Sequence, residues 1–195
     1  QLTRADVYLV SPVTSFLTVR GGFDHFQRPD TEAERQLVGD DERLFDDGWW
    51  RPWVGATTLL PWHLRLDGEV ALMVAEDEDF TPRWRAGIAR TGLFGLKYGQ
   101  VSAVVYNLDG AGAEGYGGML SAFLPFLDGR LSIRPAAGFR FLETDETSED
   151  FELTDISLHA DWWITKAWSI DAGVGHTFGD SIEATLFDIG IAFQW

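Results

Sequence analysis

Apolar and polar residues alternate along the C-terminal end of the chain. From residue 187 onward every second residue is apolar, and the residues between them are small or polar. Because successive side chains of a β-strand point to opposite faces, this pattern predicts a strand with one strongly apolar side. The apolar set is Phe187, Ile189, Ile191, Phe193 and Trp195.

Three segments before it alternate in the same way, and earlier segments do so less regularly. Together they predict about ten strands, each near the ~9 to 11 residues that cross a bilayer at a tilt. The number falls to eight if the two weakest runs, 69–75 and 101–108, are not independent strands. The predicted strands are 13–24, 49–66, 69–75, 84–98, 101–108, 116–126, 131–141, 156–164, 168–178 and 183–195.

The connections between these strands alternate between tight and long. Tight turns are predicted at Asp67-Gly68, Gly99-Gln100, Asp128-Gly129 and Lys166. Most other connections are longer and acidic, and the longest is the loop 25–48. Bacterial outer-membrane barrels have short periplasmic turns and longer external loops. We therefore expect residues 25–48 to be an external loop and residues 1–12 to be a periplasmic lead-in.

The pattern resembles that of small bacterial outer-membrane β-barrels, the OmpA-like and OmpX-like group, whose chains typically end in an aromatic residue after alternating apolar positions. The resemblance implies a single domain over residues 1–195, an antiparallel up-and-down transmembrane β-barrel in the outer membrane. Since the first residue is Gln1, we expect that a signal peptide has been removed. The main alternative is a soluble, acidic barrel of lipocalin type, which would turn the apolar side of the last strand inward around a ligand.

Composition excludes several other classes. The chain has no cysteine, so it has neither disulfides nor thiolate metal sites. No segment approaches the ~18 consecutive apolar residues of a spanning helix. A net charge of −16 argues against nucleic acid as a partner. The expected partners are outer-membrane lipid or lipopolysaccharide, bridged in one version by divalent cations, and a protein bound through the external loops.

The polar sides of the predicted strands carry charges of both signs. In a narrow barrel such charges must pair or be wetted. They predict an internal salt-bridge network that fills the lumen, with a narrow polar pore as the alternative. The set is Arg65, Glu69, Arg134, Arg140, Asp155, His159, Asp161, Asp171 and Asp188.

The best candidate for catalysis is the set Ser157, His159 and Asp161 on one side of a strand. Residues two apart on a strand are separated by roughly 6 to 7 Å, too far for a nucleophile and its base to touch directly. His25, His63 and His176 are isolated, so no metal site or cofactor is predicted. We therefore expect a non-enzymatic membrane scaffold or surface-interaction protein, with a narrow channel or an outer-membrane lipid hydrolase as alternatives.

Overall fold

The described residues of the chain form one sheet of eleven β-strands. The computed structural model describes residues 4–26, 49–75, 80–93, 95–110, 113–144, 150–180 and 182–193. Each strand lies beside its sequence neighbours in an up-and-down order. The strands are β1 (Arg4–Pro12), β2 (Leu17–Phe26), β3 (Trp49–Leu60), β4 (Leu64–Ala75), β5 (Thr81–Thr91), β6 (Gln100–Gly110), β7 (Ala113–Phe126), β8 (Leu131–Thr144), β9 (Asp150–Trp163), β10 (Trp168–Gly179) and β11 (Glu183–Phe193).

The architecture confirms the predicted all-β, antiparallel, up-and-down fold, and the strand number is close to the predicted ten. Among the described residues, no helix has the length and apolar character needed to cross a membrane.

Contacts divide the chain into two compact units. The first unit comprises Gln1–Thr57 and Gly68–Trp84, and the second comprises Thr58–Asp67 and Arg85–Trp195. The first therefore holds β1, β2 and most of β3 and β4. The second holds the β3–β4 turn, most of β5 and all of β6 to β11.

In the second unit, side chains alternate between two chemically distinct faces. The register places Val174 opposite Phe187 on one face and Arg134 opposite His159 on the other. The apolar face includes Ile88, Val105, Leu120, Ala137, Phe139, Ile156, Leu158, Ile170, Val174, Phe187, Ile189, Ile191 and Phe193. The polar face includes Arg85, Ser102, Ser121, Arg134, Arg140, Asp155, Ser157, His159, Asp161, Asp171 and Asp188.

The apolar face is exposed. Leu120 and Ile156, which lie on strands with neighbours on both sides, are 54% and 52% exposed. In the described part of the chain, the only buried hydrophobic residues are Ala71 and Ala89. A contiguous apolar surface of this kind is rare on a soluble monomer but is required of strands that face lipid. A lipocalin-type barrel would instead enclose these residues around a ligand.

The predicted lead-in is wrong in its secondary structure, because residues 4–12 form β1. Alternation does not predict this strand, because its apolar residues are consecutive. Val7, Tyr8, Leu9 and Val10 are consecutive and all exposed. Pairing with β2 defines this strand instead, with Val7 opposite Phe23.

The predicted turn at Asp67-Gly68 is also wrong, because both residues lie inside β4. The chain turns earlier, at Pro61–His63. Proline cannot donate to a strand ladder, which agrees with β3 ending at Leu60, directly before Pro61.

Two other predicted boundaries move. β5 ends at Thr91, and Gly92, with φ of 75°, begins the turn that Gly99 closes by accepting a hydrogen bond from the Gly92 amide. β6 and β7 continue to the pair Gly110 and Ala113, beyond the predicted ends at residues 108 and 116. Of the predicted external loop 25–48, His25 belongs to β2, and residues 27–48 lie outside the described part.

Candidate functional site on the polar face

Arg140 and Asp155 form an ion pair on the polar face of β8 and β9. The Arg140 Nη2 lies 2.7 Å from Asp155 Oδ2, and the Thr177 hydroxyl donates to Asp155 Oδ1 at 2.7 Å. The pair is diagonal, since the residue directly opposite Asp155 is Gly138.

A second diagonal pair joins Arg134 and Asp161. The Arg134 guanidinium donates to Asp161 Oδ2, which also accepts a hydrogen bond of 3.0 Å from the Ser132 hydroxyl. The Arg134 side chain is 52% exposed and that of Asp161 32%. This pair therefore lies on a wetted surface and is not buried in a core.

Asp67 lies between two arginines in the second unit. Arg85 Nη2 lies 3.6 Å from its Oδ2, and Arg65 Nε lies 3.9 Å from its Oδ1. The Asp67 side chain is only 10% exposed, whereas both arginines are about half exposed. One carboxylate thus serves two guanidinium groups, and neither contact is short.

The first unit has its own charged cluster on the polar face of β2, β3 and β4. Arg51 contacts Glu69 at 2.5 Å and Asp24 at 3.4 Å. Arg20 lies 3.6 Å from Glu69, and the Trp53 indole donates to Asp24 at 3.2 Å. Trp53 is therefore a polar-face residue with a satisfied indole nitrogen.

Between the Arg140–Asp155 and Arg134–Asp161 pairs, a row of small side chains runs from strand to strand on the polar face of the second unit. The register places one small residue opposite another on six consecutive strands. The Ser102 and Ser121 hydroxyl groups are 2.8 Å apart. We call this set the small-residue row: Ala89, Ser102, Ser121, Ala136, Ser157 and Gly175.

Two shallow cavities follow this row. One of about 310 Å³ is lined by residues that include Gln100, Arg134 and His159. The other, of about 180 Å³, is lined by residues that include Tyr106 and Arg140. The row is thus open space with polar and cationic groups on both sides.

Glycines opposite the remaining polar-face acids make room for them. A side chain at Gly173 would meet the Asp188 carboxylate and the His159 ring, and one at Gly190 would meet the Asp171 carboxylate. His159 and Asp188 therefore lean over Gly173 from the two neighbouring strands.

All nine residues of the predicted lumen set lie on the polar faces of their strands. Six of them form ion pairs, namely Arg65, Glu69, Arg134, Arg140, Asp155 and Asp161.

Sequence reasoning missed five of the residues in these clusters. Strand alternation alone could have found the arginines, whereas Asp67 was misassigned to a turn. The missed residues are Arg20, Asp24, Arg51, Asp67 and Arg85.

The predicted membrane-facing strand is β11. Phe187, Ile189 and Ile191 are 74%, 79% and 69% exposed, and Phe193 is 49% exposed. Trp195 lies outside the described residues.

The candidate catalytic set is on one face of β9, as alternation requires. Its acid, Asp161, is engaged by Arg134 and Ser132. Within the described ranges, no group of three or more His, Cys, Asp or Glu side chains is arranged to hold a metal ion.

Comparison with known proteins gives similarity in structure alone. No family model matches the sequence, and no curated protein matches it. Among solved structures, the chain is similar to a loop L8 deletion mutant of OmpT, an outer membrane protein of Vibrio cholerae. The TM-score is 0.56 at 11% identity, covering 98% of this chain and 90% of that one.

Two further structures are similar at the same identity of 11%. In-vitro folded OmpT of Vibrio cholerae gives a TM-score of 0.54, covering 98% of this chain and 89% of that one. A porin gives 0.60, covering 97% of this chain and 60% of the porin. These similarities do not confirm the narrower resemblance to the OmpA-like and OmpX-like group. The chain has the antiparallel, up-and-down fold of outer-membrane β-barrel proteins.

Proposed function

We propose that this chain is an integral β-barrel of the bacterial outer membrane and that its polar face lines an aqueous passage for small hydrophilic solutes. The small-residue row carries this proposal. It keeps the polar face of six strands open between Arg134 on one side and Arg140 on the other. A lumen filled by its own side chains would need long residues at these positions.

The exposure of the charged residues supports a wetted passage over a filled lumen. The Arg134 and Arg85 side chains are 52% and 54% exposed although each contacts a carboxylate. Charges in a lumen must be paired or hydrated, and these two arginines are paired while half of each side chain stays open to water. This favours the pore that the sequence analysis held as an alternative over the salt-bridge plug.

The exposed apolar face supports the membrane location. Leu120, Ile156 and Ile189 would contact lipid acyl chains, and outer-membrane lipid is accordingly the expected partner. Binding of lipopolysaccharide, of divalent cations or of a protein through the external loops stays a prediction.

The proposed role is non-enzymatic. A serine hydrolase needs its histidine and acid in direct contact, whereas the Asp161 carboxylate is already bound by Arg134 and Ser132. We expect the purified protein to leave phospholipid and lipid A esters intact.

Conductance across planar lipid bilayers tests the passage. The variant Ala136→Trp places an indole in the small-residue row and should reduce single-channel conductance roughly twofold or more, because the pore radius sets conductance. Ala137→Trp is the matched control, since residue 137 lies on the apolar face, where an indole would contact lipid. It should conduct like the unmodified protein.

Silent bilayers for the unmodified, correctly folded protein would refute the passage and favour the non-conducting scaffold. Equal conductance of Ala136→Trp and the unmodified protein would also refute it, since solute flow would then avoid the small-residue row.

A further inference from the structure

A pocket opens beside the β3–β4 turn in the second unit. Its volume is about 560 Å³, and its walls are Leu59 to Arg65 with Ala89, Thr91 and Gln100. Small-molecule sites typically have volumes of roughly 300 to 1,000 Å³ and combine apolar walls with a few polar groups. This pocket has that composition. It shares Ala89 with the small-residue row and Gln100 with one of the cavities along it, and its other walls are its own.

The turn that forms one wall has an unusual backbone. Trp62 has φ of 61° and ψ of 27°, and His63 has φ of 59°, so two consecutive residues other than glycine are left-handed. Two-residue hairpins of this conformation normally use Asn-Gly, which adopt it with less strain. Strained residues of this kind tend to occur at functional sites. Here this backbone places the Trp62 and His63 rings at the pocket. Leu127 and Asp128 are left-handed in the same way, at a turn that lines none of the cavities described above.

The polar wall of the pocket has an excess of positive charge. Arg65 is 50% exposed, and its contact with Asp67 is 3.9 Å long. Asp67 is shared with Arg85, so one carboxylate faces two guanidinium groups. A negatively charged group in the pocket would offset that excess, and a carboxylate matches the guanidinium geometry. Thr91 and Gln100 add uncharged hydrogen-bonding groups to the same wall.

We propose that this pocket binds an amphipathic monoanion, a carboxylate with an aromatic or aliphatic body. The carboxylate pairs with Arg65, and the apolar body lies against Leu59, Trp62 and Leu64. The site is tested separately from the proposed passage, because Arg65 lines neither cavity along the small-residue row and the readout is binding and not conductance.

Equilibrium dialysis of the purified protein in an uncharged detergent tests the site with naphthalene-2-carboxylate as the probe. The neutral alcohol naphthalene-2-methanol measures partition into the micelle. We expect saturable binding of the carboxylate, one molecule per chain, and only non-saturable uptake of the alcohol. Arg65→Gln should weaken carboxylate binding roughly tenfold or more, because it removes the charged partner.

Arg90→Gln is the matched control. Arg90 stands between Ala89 and Thr91 on β5, with its side chain on the opposite face of the strand. The chemical change is the same, and binding should be unaffected.

The double variant Trp62→Asn/His63→Gly guards against a loss of binding through misfolding. It gives the turn the residues that its backbone favours, so the hairpin should form at least as readily, while the two ring side chains of this wall are removed. Folded protein that no longer binds the probe would support the site. Equal binding by Arg65→Gln and the unmodified protein would overturn the proposal, as would saturable binding of the alcohol.

Discussion

At the scale of single residues, two glycines that both have room for a Cβ differ in backbone conformation, so their alanine variants measure the cost of the left-handed backbone. Gly95 has φ of 73° and no atom within 4 Å of where a Cβ would stand, so Gly95→Ala tests backbone conformation alone. We expect it to lower the free energy of unfolding by about 1 kcal/mol. Gly175 has ordinary extended backbone, and a Cβ there would make only ordinary van der Waals contacts. Gly175→Ala should therefore raise the free energy of unfolding by roughly 0.5 kcal/mol. Urea unfolding in lipid vesicles, followed by tryptophan fluorescence, measures both. Equal effects of the two variants would contradict this assignment.

Also at the residue scale, the cluster around Glu69 and the Arg134–Asp161 pair differ in exposure and therefore in their contribution to stability. The Glu69 side chain is 18% exposed and contacts both Arg51 and Arg20, so Glu69→Gln leaves two guanidinium groups without this charge. We expect a loss of about 1 to 2 kcal/mol. Asp161→Asn removes the partner of the half-exposed Arg134 and should cost under about 1 kcal/mol. The same unfolding assay decides, and a larger cost for Asp161→Asn would show that exposure does not govern these pairs.

At the scale of single elements, the β3–β4 hairpin shows where sequence reasoning fails. Asp-Gly is a strong turn signal, yet Asp67 faces two arginines inside β4, and the Gly68 carbonyl lies where a side chain at Gly55 would clash. Trp62 and His63 carry no turn signal, because left-handed backbone disfavours them. The clean alternation of β8 to β11 did predict those strands and the charged residues on them. It did not predict the ion pairs, since Arg140 reaches a diagonal and not an opposite carboxylate.

The strain in this hairpin has a measurable consequence for stability. Replacing Trp62 and His63 together by Asn and Gly should raise the free energy of unfolding by about 1 to 2 kcal/mol, because each left-handed residue other than glycine carries a cost of that order. As a control, Thr165→Ala changes the β9–β10 turn, where the Thr165 hydroxyl accepts hydrogen bonds from the Ala167 and Trp168 amides. It should lower stability by about 1 kcal/mol. A destabilised Asn-Gly variant would mean that the packing of Trp62 and His63 outweighs the backbone strain.

At the scale of the whole molecule, the environment of the apolar face distinguishes a membrane barrel from a soluble one. Leu158 and Ser157 are adjacent on β9 and point to opposite faces, and Leu158 is 46% exposed. In a bilayer, Leu158→Arg should cost roughly 2 to 4 kcal/mol because it places a charge in hydrocarbon. Ser157→Arg places the same charge on the polar face beside hydrated ion pairs and should change stability by under about 1 kcal/mol. Urea unfolding of both variants in vesicles measures the difference. Equal costs for the two variants would mean that the apolar face does not contact lipid. Unmodified protein that stays soluble and folded without detergent would mean the same, and an apolar ligand would then be the expected partner of this face.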